Sequence, residues 1–278
     1  MIALAPVPAQ APFTSERVVI NVQGSGPDVI LVSGLGSNPR IYSKLTAALP
    51  GYRYHLVQVR GFSGTTPGAN VSGDVAAEVA KELARYIRDQ KLARPALIGH
   101  SMGGTIGMML ASRHPDALGK LVVVDMLPFT GAFFGARNGA EARAIIEKMR
   151  QQWSANPQAA AATMTQMVSG MVNNEAERPA VLNDARTSDP KLVARTYADI
   201  QATDLREEVK AVTVPVTVLY AKPAQAAAVP DARFDGLYKT QYANLRGVTF
   251  TRIPNAAHFI MLDNPKRFEA ETKAFLAR

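Results

Sequence analysis

Apolar positions fall in two alternating textures between residues 17 and 125: short, nearly unbroken runs and longer helical stripes. The runs at 17–22, 28–32, 54–59, 95–98 and 121–124 are too short for helices and dense in Val, Ile and Leu, which predicts strands buried on both faces. Gly24, Gly26 and Pro27 supply the turn between the first two. The stripes predict helices over 41–48, 75–90 and 105–113. In the second of these Asp74 is the N-cap, and Val75, Val79, Leu83 and Ile87 recur on one face. Alternating strands and helices imply an α/β fold built on a mostly parallel sheet with flanking helices.

From Met126 to about Val212 the texture changes, with helical patterns at 140–153, 157–171, 175–184 and 191–200 and no strand-like run among them. Strand signals return at 216–220 and 248–253, and a helix over 265–276 closes the chain. The organisation expected is a core of residues 15–125 and 213–278, interrupted by a helical lid at 126–212. Residues 1–14, rich in Ala and Pro with an Ala9-Gln10-Ala11 step, read as a disordered lead or a signal remnant, which tilts localisation towards the periplasm or the outside.

Composition narrows the chemistry. With 278 residues, 47% of them hydrophobic, the chain can bury a large core, and no apolar run approaches the ~20 residues of a spanning helix. The net charge of +8 comes from scattered Lys and Arg without aromatic interleaving, a solvated basic surface rather than a nucleic-acid footprint. Zero Cys excludes disulfides, thiolate metal sites and Cys nucleophiles. Nothing in the ligand spacing asks for a metal or an organic cofactor, and the oligomeric state is not legible.

Gly99-His100-Ser101-Met102-Gly103 sits where a predicted strand gives way to a predicted helix. A turn that tight strains its central residue and needs small neighbours two positions away on each side, which Gly99 and Gly103 provide. Ser101 would then stand above the carboxyl ends of the strands, where open parallel sheets bind ligands. A serine hydroxyl needs a base to take its proton. Of the four His, His100 lies in the turn, His55 opens a strand and His114 ends a helix; His258, in the loop beyond the last strand, is the candidate.

The elbow and the late histidine resemble the α/β-hydrolase family in motif and chain order. That resemblance covers essentially the whole sheet domain and implies a serine hydrolase. Val32-Ser33-Gly34-Leu35-Gly36-Ser37 occupies the place of the family's oxyanion loop, with Ser33 where a histidine is usual, so the resemblance assigns the backbone N–H groups of Leu35 and Met102 to an oxyanion hole. Arg60-Gly61-Phe62-Ser63-Gly64 is similar to the family's Arg-Gly loop, although Val59 replaces its aspartate.

The acid is less direct. No carboxylate lies in 220–227, the family's commonest place for it. Some members place it at an earlier strand end, 24 residues after the nucleophile, and Asp125 stands at that distance from Ser101; Asp231 or Asp235, reaching back from a long loop, are the alternatives. The lid would offer Phe129, Phe133, Met164 and Met167 as walls of an apolar substrate pocket. The function expected is hydrolysis of small uncharged carboxylic esters through an acyl-enzyme. A lactonase, carbon–carbon bond hydrolase or cofactor-free perhydrolase on the same residues, or a non-catalytic small-molecule receptor, are the alternatives.

Overall fold

A computed structural model describes residues 12–278, with the side chains of residues 150, 153, 154, 157–161 and 164 outside that description. Seven strands form one sheet: β1 (Val18–Gly24), β2 (Asp28–Val32), β3 (Arg53–Val59), β4 (Ala96–His100), β5 (Lys120–Val124), β6 (Val216–Tyr220) and β7 (Thr249–Arg252). Their order is β1-β3-β2-β4-β5-β6-β7, with β1 antiparallel to β3 and every other pair parallel. The helices are α1 (Ser43–Ala48), α2 (Val75–Asp89), α3 (Met102–Arg113), α4 (Gly139–Ala155), α5 (Pro157–Ser169), α6 (Arg178–Thr187), α7 (Pro190–Ala202), α8 (Asp231–Gln241), α9 (Ile260–Asp263) and α10 (Pro265–Leu276).

Period two along the strands sorts the core into two layers. Ile30, Val32, Leu97, Leu121, Val123 and Val218 face a layer shared with α2, α3 and α8. Their neighbours Leu31, Ile98, Val122, Val124 and Leu219 face the other, shared with α1, α9 and α10. Both faces of the central strands are therefore dry, as expected of them. The first strand departs from that expectation: β1 lies at the edge, is bonded to β3 alone, and has exposed residues over most of its length.

Strand order also locates a crevice. The chain leaves β2 towards β3 on one side, whereas β4 lies on the other, so the loops after β2 and β4 diverge at the carboxyl ends. Ligands of open parallel sheets bind at such a switch point.

The helices α4 to α7 all fall between β5 and β6. Two of them have a proline in the first turn and start away from the residues that periodicity alone indicates: α6 has Pro179 as its second residue, and α7 begins at Pro190 behind an Asp189 N-cap that accepts from Leu192 N. Residues 231–241, expected as loop, form α8, whose Phe234 and Tyr238 stack on Tyr220 of β6. At the other end, residues 1–11 of the expected lead lie outside the described residues; Phe13 packs edge-on against Tyr86 at 4.8 Å, beneath the Arg85 guanidinium. Among the described residues no helix is long and apolar enough to cross a membrane.

Candidate active site

Ser101 is the single residue between β4 and α3, with φ 53° and ψ −122°, a conformation that costs an L-residue of order 1–3 kcal/mol. The turn closes because its neighbours lack side chains: a Cβ at Gly99 would stand 2.1 Å from the Gly103 carbonyl oxygen, and one at Gly103 2.2 Å from that of Val32. Backbone bonds pin the strained residue, its N–H donating to Val124 O at 2.9 Å and its carbonyl accepting from Gly104 N at 2.7 Å. Although Ser101 occupies the capping position of α3, its hydroxyl makes no capping bond. Nor, among the described residues, does Ser101 Oγ hydrogen-bond the His258 ring.

His258 and Asp125 do meet. His258, in the loop between β7 and α9, brings Nδ1 to 2.7 Å from Asp125 Oδ2. The carboxylate accepts, so Nδ1 carries a proton, and in the neutral ring the lone pair is then on Nε2. Asp125 directly follows β5 and has φ 49°. Its second oxygen accepts from Ala221 N and from Tyr238 Oη, both at 3.0 Å, which fixes the carboxylate on two sides. Burial first, and then the Asp125 charge, raise the Tyr238 phenol well above its ordinary pKa, so it remains a donor.

A second imidazole lies beneath the first. His100 is fully buried, donates Nε2–H to the His258 carbonyl at 3.0 Å, and has its ring 4.5 Å from that of His258. Burial, with the neighbouring His258, holds its pKa well below the usual value. His100 is thus neutral, and it anchors the His258 backbone without adding a charge beside the ring.

The loop after β2 lies directly against the serine. A Cβ at Gly34 would stand 2.9 Å from Ser101 Cβ and 3.4 Å from Oγ. Among the described residues neither Leu35 N nor Met102 N donates to a protein acceptor. Ser33, where the resemblance would put a histidine, is buried and donates to Ser37 O at 3.4 Å.

The other acids are engaged elsewhere. Asp231 pairs with Lys222 at 2.8 Å and Arg252 at 2.6 Å; these charges, Arg252 foremost, hold its carboxyl far below the usual range. Asp235 accepts from Tyr220 Oη at 2.8 Å. Both belong to α8, and neither reaches His258. Of the expected pocket residues, Phe129 is fully buried with Ala136 and Ala142 under the Arg206 guanidinium, and Phe133 is 57% exposed. Met167 is half-buried, and the Met164 side chain lies outside the described residues.

One group had no sequence signal. The α6–α7 turn is joined to the loop after β3 by Gly64 N to Thr187 O (3.1 Å) and Asp189 N to Gly61 O (2.8 Å). Buried Asp184 accepts from Ser63 Oγ at 2.8 Å and pairs with Arg40, while buried Ser188 accepts from Ser63 N at 2.8 Å. Single polar residues on a short helix read as solvent-facing; only tertiary pairing distinguishes these. Among the described residues no cluster of His, Asp and Glu could hold a metal ion.

A family model described as "Alpha/beta hydrolase family" matches residues 29–271. The chain belongs to the alpha/beta hydrolase family. The chain is similar to a pimeloyl-(acyl-carrier protein) methyl ester esterase of Aeromonas hydrophila, 35% identical over 106 residues, which are 38% of this chain and 40% of the relative. Another protein of that name, from Aliivibrio salmonicida, is 23% identical over 91% of this chain and 94% of its own length. Aligned stretches of the first curated relatives cover only 36% to 42% of those proteins. The alpha/beta hydrolase fold is matched by the enol-lactonase from Burkholderia xenovorans LB400, with a TM-score of 0.73 at 18% identity over 94% of this chain and 96% of that one.

Proposed function

We propose that this hydrolase is a serine carboxylesterase, cleaving small uncharged carboxylic esters of short to medium acyl chain through an acyl-enzyme intermediate. Ser101 Oγ attacks the carbonyl carbon as His258 Nε2 takes its proton. Asp125 keeps the other ring proton on Nδ1 and stabilises the imidazolium that forms. The oxyanion of the tetrahedral intermediate is received by the N–H groups of Leu35 and Met102, each such donor being worth about 3 kcal/mol in the transition state. Collapse expels the alcohol, protonated by His258; water then attacks the acyl-enzyme by the same route, and Ser101 regains its proton.

The observation that carries this reading is the 2.7 Å contact of Asp125 Oδ2 with His258 Nδ1 at the sheet edge that also bears Ser101, a serine whose hydroxyl caps nothing. Base and serine hydroxyl are often poorly aligned until substrate binds, so the unmade Ser101–His258 bond is compatible with it. No Lys or Arg forms an ion pair with Asp125 or hydrogen-bonds Ser101 or His258 among the described residues, in keeping with an uncharged reacting group. The helices between β5 and β6 act in this reading as a lid with an apolar lining, Met167 among it.

The test is hydrolysis of nitrophenyl acetate, butyrate and octanoate by wild type and Ser101→Ala, together with mass spectrometry after a fluorophosphonate. Multiple turnover lost in the variant, and one phosphonyl adduct on Ser101, are expected. Ester binding without turnover by the wild type would instead mean a receptor.

A further inference from the structure

Ser188, from the helical segment between β5 and β6, touches the oxyanion loop, and the geometry points to a positioning role in the reaction. Its Oγ donates to Asp184 O at 2.7 Å and has Gly36 O as a second acceptor at 3.4 Å, while accepting from Ser63 N at 2.8 Å. Gly36 has φ 65°, and a Cβ added there would stand 3.4 Å from that same oxygen. The α6 terminus therefore seats on a glycine, which adopts this left-handed backbone without strain.

From Gly36 the connection runs through two peptide groups. The Gly36 carbonyl and the Ser37 N–H belong to one planar unit, and Ser37 N donates to Gly34 O at 3.2 Å. The Gly34 carbonyl shares the next unit with the Leu35 N–H. In a trans peptide the two groups point opposite ways, so gripping the carbonyls aims the N–H.

We infer that Ser188 orients the Leu35 N–H towards the oxyanion through this two-peptide relay. The inference rests on the proposed esterase reading. It also predicts differential binding. Charge developing on the substrate oxygen polarises the Leu35 N–H, makes Gly34 O and then Gly36 O better acceptors, and draws the single Ser188 hydroxyl proton from Asp184 O towards Gly36 O. Hydrogen bonds in such chains strengthen one another by about a tenth to a third each. The benefit appears in the transition state and not in ester binding.

Ser188→Ala is compared with Ser63→Ala, which removes the hydroxyl on Asp184 but leaves the contact of Ser188 with Gly36. Both variants are expected to lower the thermal midpoint. Only Ser188→Ala should lower kcat for nitrophenyl butyrate, by about tenfold with KM within about twofold, and weaken an alkyl boronate inhibitor by the same factor. Equal kcat losses in the two variants would make the cluster merely structural and overturn the inference, as would unchanged kcat and boronate affinity in a folded Ser188→Ala. A wild type that neither turns over esters nor reacts with the fluorophosphonate would sink the esterase reading itself, and the relay with it.

Discussion

Asp125 Oδ2 and His258 Nδ1 stand 2.7 Å apart across 133 residues of chain. A neutral amide at position 125 would keep the shape but lose the charge and allow the wrong imidazole tautomer. Asp125→Asn is therefore expected to reduce kcat by about 10³- to 10⁴-fold. Asp231→Asn and Asp235→Asn, which disturb only pairs with Lys222, Arg252 and Tyr220, should stay within about twofold of wild type. Steady-state kinetics on one nitrophenyl ester decide it, and full activity in Asp125→Asn would move the acid elsewhere.

Tyr238 holds the far oxygen of the same carboxylate. Tyr238→Phe removes one of its two donors and leaves Ala221 N in place. A stability loss of about 1 kcal/mol is expected, with a kcat reduction of about tenfold or less, well short of that in Asp125→Asn. Urea unfolding and kinetics on one preparation would show whether the phenol matters more to the fold or to the reaction.

Because His100 is held well below its ordinary pKa of 6.5, the unfolded chain takes up a proton there at a pH where the folded chain does not. Stability from this residue is complete above about pH 6.5 and is lost as pH falls towards the folded value, with a slope approaching ~1.4 kcal/mol per pH unit. His55, lowered mainly by burial, acts with the same sign. The thermal midpoint should drop between pH 7 and 5.5, and His100→Gln should flatten that slope without abolishing it. An unchanged slope in the variant would remove His100 from the account.

Two glycines in helices should respond to alanine with opposite signs. Gly103→Ala drives a Cβ to 2.2 Å from Val32 O and is expected to destabilise by about 1–3 kcal/mol. Gly236, in α8, has nothing within 4 Å, so Gly236→Ala should stabilise by up to about 1 kcal/mol through helix propensity. Chemical denaturation of the two single variants tests both signs.

Much of this was legible before any coordinates. The buried strands announce themselves as runs of branched aliphatics, and the Gly99-His100-Ser101-Met102-Gly103 turn as small residues where period two gives way to period 3.6. The family resemblance puts Asp125 among the candidate acids by its distance from Ser101, and only the fold shows it bonded to His258 while Asp231 and Asp235 are committed to Lys222, Arg252 and Tyr220. Residues 231–241 read as loop in the sequence because their apolar residues, Phe234, Leu237 and Tyr238, are interspersed with a glycine and charges, and the tertiary stack of Tyr220 on Tyr238 at 4.1 Å leaves no local trace. Phe129 looked like a pocket wall by residue type alone. It is a core residue, because hydrophobicity says that a side chain is buried and not against what.

Bonding of the α6–α7 turn to Gly61 and Gly64 bears on chimeras between relatives. A foreign helical segment spliced in at Asp125 and Val216 would match at its two covalent joints yet leave the buried Gly61 carbonyl without its Asp189 partner, at about 1–3 kcal/mol. Residues 61–64 would have to travel with the helices between β5 and β6 as one exchangeable unit.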